Sequence, residues 1–390
     1  MPYNFDEMLD RRRVGSIKWN RYDPDVIPLW VADMDFRASD PVIQALQEHV
    51  AHGNFGYPEW NPSYEAAELR EAVLGYLERQ YGWQVESQAL VFLPAQAIGL
   101  FLSCRALALP GEGMLVQTPA YGTVYDAHAK AGLRINTSEM VRNKDGHYEI
   151  DLDLFEKTIA SYTRLFILVN PHNPLGKVFR RDELQAMASI CLHHDMYIIS
   201  DEVYGDIIYP PHRHIPIASL APEIADRTVT LISPGKSFCL AGMRLAVAIV
   251  TNPELRRRLL AVMDGSVTFP NVLSVTAAAA AYRQEDRWLD EVIAYLEANR
   301  DFLWRSFHLQ FPGISMEKPE GTFLAWLDCR TARLPGGPHR FFLEQARVAC
   351  NNGADFPPGC EGFVRLNFAC SRLVLEKAVQ QMHQALFECA

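Results

Sequence analysis

Val229-Thr-Leu-Ile232-Ser233-Pro-Gly-Lys236-Ser-Phe-Cys-Leu-Ala-Gly242-Met-Arg244 holds an apolar run of four, then a hydroxyl, a proline, a glycine, a lone lysine and, eight residues on, an arginine. The run Val229–Ile232 is short and does not alternate, which reads as a buried strand. A lysine at the exit of a buried strand is costly to bury and adds little to packing. The position makes sense if the amine has chemical work.

Two strand ends upstream carry similarly misplaced polar residues. Leu165–Val169 leads into Asn170-Pro-His-Asn173-Pro-Leu-Gly176, and Tyr197–Ser200 leads into Asp201-Glu-Val-Tyr204. From Asn173 to Asp201 is 28 residues and from Asp201 to Lys236 is 35, about one βα unit each. Further runs at Leu90–Leu93, Met114–Gln117 and Leu245–Val250 alternate with helical stretches. Strands alternating with helices predict an α/β fold: a large domain whose mostly parallel sheet is flanked by helices. Such sheets bind ligands at the carboxyl ends of their strands.

Outside this region, Ser39-Asp40-Pro41 opens a predicted helix that Gly53 closes, and a second spans Tyr64 to Arg79. A long amphipathic run, Glu285 to Gln310, leads into a smaller α+β domain with strands at 321–328 and 362–368 and helices at 339–346 and 373–387. The expected division is 46–290 for the large domain and 291–390 for the small one, with 1–45 packing against the latter. At 390 residues and 49% hydrophobic, the chain can bury a core of this size.

Composition narrows the function classes. A net charge of −10 without a sustained Lys/Arg run argues against nucleic acid as a partner. The clusters Arg11-Arg-Arg13 and Arg256-Arg-Arg258 read as solvated ends. Eight scattered cysteines with no C-x-x-C pair fit reduced thiols and a cytoplasmic location. His193-His194 and His212-Arg-His214 show no acidic or cysteine partner at ligand spacing, so no metal is expected. No run approaches membrane-spanning length, and the first residues lack a signal-peptide pattern.

The three strand ends suit one cofactor, pyridoxal 5'-phosphate. Lys236 would hold its aldehyde and then act as the base at the substrate's Cα. Asp201, expensive to bury as an anion, would meet a pyridinium N–H and keep it protonated. Asn173 and Tyr204 can hydrogen-bond the ring's phenolic oxygen. Ser233 and Arg244 suit the phosphate, and backbone N–H groups of Ala95, Gln96 and Ala97 at a helix start would complete that cup. Tyr121, after another strand, could stack on the ring and is, with Lys236, a candidate catalytic residue. Each residue also has an ordinary reading, as turn, cap, ion pair or core. Their joint occurrence at successive strand ends favours the site.

With these residues in view, the chain resembles a fold-type-I pyridoxal-phosphate enzyme of the aspartate-aminotransferase superfamily. Within it, the chain is similar to the cystathionine β-lyase group of carbon–sulfur lyases typified by MalY and PatB. That likeness rests on Leu29-Trp-Val-Ala-Asp-Met-Asp-Phe36, Asn54-Phe-Gly-Tyr57-Pro-Glu-Trp60, Glu320-Gly-Thr-Phe-Leu-Ala-Trp-Leu-Asp328 and Gly362-Phe-Val-Arg365-Leu-Asn-Phe-Ala369. The resemblance implies that Arg365 clamps the substrate's α-carboxylate with Asn173 nearby. It also implies that Tyr57 reaches the phosphate in a neighbouring subunit, in a homodimer with shared active sites. The implied reaction is β-elimination from L-cystathionine or a related cysteine S-conjugate, giving thiol, pyruvate and ammonia. Tyr204 stands where the lyase group usually has histidine, and Arg244 is often missing from that group. Both suit the alternative, an aminotransferase acting on an apolar or aromatic amino acid.

Overall fold

Apolar runs that do not alternate need cover on both faces, and here helices supply it. The computed structural model describes residues 3–56, 66–143, 147–284 and 286–388. The strands are β1 (Ile27–Pro28), β2 (Leu90–Leu93), β3 (Gly113–Thr118), β4 (Arg134–Arg142), β5 (Tyr148–Ile150), β6 (Thr163–Val169) and β7 (Tyr197–Asp201). They continue with β8 (Thr228–Ile232), β9 (Ala246–Ile249), β10 (Ser315–Met316), β11 (Leu324–Asp328), β12 (Val348–Ala349), β13 (Asn351–Asn352) and β14 (Phe363–Asn367).

Among the described residues the large sheet has the order β2-β9-β8-β7-β6-β3-β4-β5. The ladder β8-β7-β6-β3-β4 is parallel, while β9 runs antiparallel to both neighbours and β5 antiparallel to β4. Because β9 is reversed between β2 and β8, those two point the same way. The carboxyl ends of β2, β3, β6, β7 and β8, and the start of β9, therefore meet on one edge. Every residue of β2, β3, β8 and β9 is buried. β4 and β5, absent from the predicted strands, lie at the sheet's margin and are mostly exposed or half-buried. A sequence such as Arg-Ile-Asn-Thr-Ser-Glu lacks the apolar run that marks the central strands.

The predicted helix between Ser39 and Gly53 spans Asp40–His52, ended by Gly53 at φ +76°. Ser39 occupies the capping position, but its hydroxyl makes no cap hydrogen bond. The next helix runs Ala67–Tyr81, starting after the predicted Tyr64, which lies outside the described residues. Helix Gln96–Leu107 packs closely on the sheet: a Cβ on Gly99 would lie 2.7 Å from Leu93 and 3.1 Å from Leu231. The long run predicted from Glu285 to Gln310 forms helix Asp286–Gln310, and helix Val272–Gln284 precedes it.

The C-terminal sheet has the order β10-β11-β14-β13 and is antiparallel. The N-terminal segment adds to this side through β1, which pairs with β12. Arg347 ion-pairs with Asp23 and Asp25, and Asn367 donates to the carbonyls of Val31 and Asp33. Among the described residues, no helix is long and apolar enough to cross a membrane.

Candidate active site

The sheet's register places Val169 opposite Asp201 and Asp201 opposite Leu231, so Asn173, Asp201 and Lys236 follow from adjacent strands on the same edge. A cavity of about 190 Å³ opens there. Its lining includes Ala95, Gln96, Ala97, Ser233, Lys236 and Arg244. Ala95 is the N-cap of helix Gln96–Leu107, and that helix's first N–H groups have no carbonyl ahead of them to bond. Arg244 is exposed and adopts φ +53° at the entry to β9.

Asp201 is 2% exposed. Its Oδ2 accepts from the Tyr121 hydroxyl at 2.5 Å and from the Gln96 side-chain amide at 2.7 Å. Burial pushes its carboxyl up to about 6, with the Tyr121 hydrogen bond and the Lys236 charge acting the other way. Its Oδ1 is buried with no hydrogen-bond partner among the described residues, and so is the Tyr204 hydroxyl. Tyr121, expected to stack on the ring and to serve beside Lys236 as a catalytic residue, holds this carboxylate through its hydroxyl. Burial and the Asp201 charge keep that phenol protonated. Gln96, expected to offer its backbone, adds a side-chain donor.

Ser233 acts locally. Its hydroxyl donates to the Leu245 carbonyl at 2.7 Å and accepts from the Gly235 N–H at 3.1 Å. It thereby caps the short turn Pro234–Ser237 that carries Lys236 and ties that turn to the start of β9. The Lys236 Nζ donates to the Ala32 carbonyl at 2.5 Å and sits 5.8 Å from the centre of the Tyr204 ring. Burial lowers the lysine to about 8; Asp33 and Asp201 oppose that shift and Arg365 adds to it.

Arg365, on β14, crosses to the sheet edge: its Nη1 donates to Asn173 Oδ1 at 3.0 Å. Its Nη2 donates to Asn351 Oδ1 at 2.6 Å and to the Trp30 carbonyl at 3.2 Å, while Nε is buried without a partner among the described residues. Desolvation lowers the guanidinium to about 10. It still carries its charge at neutral pH, with unspent donors for an anion.

The segment around residues 30–35 is held over this site by groups the sequence reading did not assign. Arg11 bonds both Asp33 and Asp35, the latter at 2.5 Å. The cluster Arg11-Arg-Arg13 is thus not a solvated end. Only Arg13 projects into solvent; Arg12 donates to the carbonyls of Trp19 and Pro24. Lys18, fully buried, bonds Asp35 at 2.8 Å, and Trp19 donates to the same carboxylate. Asn351 and Asp33 were missed because neither stands at the end of a predicted strand. Tyr57 lies outside the described residues.

The donor set can be tested against pyridoxal phosphate. A buried carboxylate oxygen lacks the cation it needs, a phenol lacks an acceptor, and a buried amine faces both. Beside them, helix-start N–H groups and an unspent arginine line one cavity. These residues fit the group: Asp201 for the pyridinium, Tyr204 and Asn173 for the phenolic oxygen, Lys236 for the aldehyde carbon.

Comparison with known proteins agrees with this arrangement. The family model for aminotransferase class I and II matches residues 24–382. Cystathionine beta-lyase PatB of Bacillus subtilis is 34% identical over 391 residues, covering 98% of this chain and all of PatB. The crystal structure of OvoB superposes with a TM-score of 0.93 at 38% identity, covering 98% of this chain and 99% of that one. A PLP-bound C–S lyase from Staphylococcus hominis gives 0.92 at 31%, covering 99% of each chain. The chain belongs to the aminotransferase class I and II family of pyridoxal-phosphate enzymes, within its cystathionine β-lyase group.

Proposed function

We propose that the protein is a carbon–sulfur β-lyase that cleaves L-cystathionine or a related cysteine S-conjugate to a thiol, pyruvate and ammonia. The observation that carries this is the opposition of a buried amine near neutrality, Lys236, and a buried guanidinium with spare donors, Arg365. Arg365 takes the substrate's α-carboxylate, with Asn173 and Asn351 fixing its plane. Lys236 removes the Cα proton in its neutral form. Pyridoxal phosphate, when bound, supplies the electron sink for the pair left at Cα. The Cβ–S bond then breaks with its electron pair on sulfur, and the lysine's proton is the nearest available to the departing thiolate. Water hydrolyses the unsaturated amine to pyruvate and ammonia. Asp201, buried and anionic opposite a pyridinium, would keep that ring protonated, held in place by Tyr121 and Gln96.

Lys236→Ala tests the assignment. Thiol release from an S-conjugate should fall by several orders of magnitude, whereas turnover near the wild-type rate would remove the lysine from the mechanism. The second reading, transamination of an apolar or aromatic amino acid, rests on Tyr204 and Arg244 and shares every step up to proton removal. A cytoplasmic homodimer belongs to the same proposal, with Tyr57 of one subunit reaching the other's phosphate. So does the division 46–290 and 291–390, supported by the separate sheets.

A further inference from the structure

The pair His193-His194 has no role in the chemistry above, and its sequence neighbourhood offers no third ligand. The fold supplies one. Glu156, near the end of helix Leu152–Lys157, meets the end of helix Arg181–His193. One ligand atom from each of Glu156, His193 and His194 lies within 4.8 Å of the other two. Glu156 Oε1 is already 3.0 Å from His194 Nε2.

Two consecutive residues inside a helix point about 100° apart, too far to share a ligand. Here the helix stops between them. His193 is its last residue, His194 is the C-cap with ψ 14°, and Asp195 turns into the left-handed region at φ +53°. The Met196 N–H bonds back to the Cys191 carbonyl at 2.8 Å, a Schellman-type ending. This bend brings the rings to 5.1 Å between centres, edge to face at 88°. The negative end of the helix dipole also favours a cation there.

We propose that Glu156, His193 and His194 form a surface site for a divalent transition-metal ion of borderline softness, with Zn²⁺ the type case. Zinc takes nitrogen and oxygen ligands at about 2.0–2.2 Å, so the ligand atoms must settle at roughly 3.4 Å from one another, the wider pairs closing and the Glu156–His194 pair opening slightly. That is a movement of about 1 Å by exposed or half-exposed side chains, and water completes the coordination. The site joins two helices at the amino edge of the sheet. β7 begins at Tyr197 and ends at Asp201, so about 13 Å of strand separates the ion from the candidate active site. The ion's effect is to staple the helices, and the lyase reaction does not need it.

The test is calorimetric titration of tag-free holoenzyme with Zn²⁺ in a non-chelating buffer, together with thermal melting. Wild type should bind one equivalent in the micromolar range and melt higher with the ion. His193→Ala and Glu156→Gln should each weaken binding about tenfold or more and abolish the melting shift. Both variants should keep the metal-free melting temperature and pyruvate production, which separates ligand loss from misfolding. His147→Ala, a remote exposed histidine, should bind like wild type. No binding, or binding that survives both substitutions unchanged, would overturn the site.

Discussion

Lys236 and Asp201 pay opposite electrostatic penalties for the same burial: the amine drops to about 8 and the carboxyl rises to about 6. Each is therefore easier to discharge than in water, and each gains from a partner of opposite charge. Asp33 is the largest of the charges holding the lysine up. A lysine must be neutral to take up an aldehyde, so cofactor uptake by the apoprotein should quicken as pH rises through about 8. Asp33→Asn removes a negative charge that favours the ammonium, so the lysine's pKa falls and the rising limb moves to lower pH. Stopped-flow absorbance across pH reads this directly; an unmoved or alkaline-shifted limb would contradict the assignment. At this scale the sequence showed which residues were misplaced for packing. It did not show how Tyr121 and Gln96 combine on Asp201, because a 105-residue separation between Gln96 and Asp201 leaves no periodic trace.

Among the elements, the central strands were legible because burial on both faces forces uninterrupted apolar runs. β4 and β5 escaped because most of their residues are exposed or half-buried and polar, so neither carries an uninterrupted apolar run. The cradle at the start of helix Gln96–Leu107 depends on how closely that helix approaches the sheet, and Gly99 sets this distance. A methyl group there would press on Leu93 and Leu231, both fully buried, so the side chains cannot swing aside freely. Gly99→Ala should destabilise the protein by about 1–3 kcal/mol through overpacking, and the displaced helix start should hold pyridoxal phosphate more weakly. Urea unfolding and cofactor titration would show this; unchanged values in both would mean that the helix sits looser than this packing requires. The strap around residues 30–35 is a different case. Its anchors Trp19, Lys18 and Arg11 stand 16, 17 and 24 residues before Asp35, and nothing in their local pattern signals that they bond Asp33 and Asp35.

At the level of the whole molecule, the candidate site draws on three parts of the chain: the large sheet's edge, the C-terminal sheet through Arg365, and the N-terminal segment through Ala32. Neither sheet alone carries both a base and a carboxylate clamp, so movement of one against the other would open or assemble the site. The proposed dimer adds a fourth part through Tyr57. Light scattering should give about twice the 44.1 kDa chain mass, and Tyr57→Phe should weaken phosphate binding without altering that mass; a monomer with full activity would contradict the shared site. The family, the alternating architecture and the meeting of Asp201, Lys236 and Arg365 in one site were readable from the sequence, while the parts played by Arg11 and Ala32, and the bonds of Gln96 and Tyr121 to Asp201, had to come from the fold. The central claim is that proton removal at Cα leads to loss of a β-substituent. Its most direct test is holoenzyme mixed with L-cystathionine, following pyruvate, free thiol and the cofactor's absorbance together. Catalytic pyruvate and thiol in equal amounts, with the cofactor unchanged after turnover, is the predicted result. Stoichiometric amination of the cofactor without pyruvate, reversed by a 2-oxo acid, would contradict it and make the protein an aminotransferase.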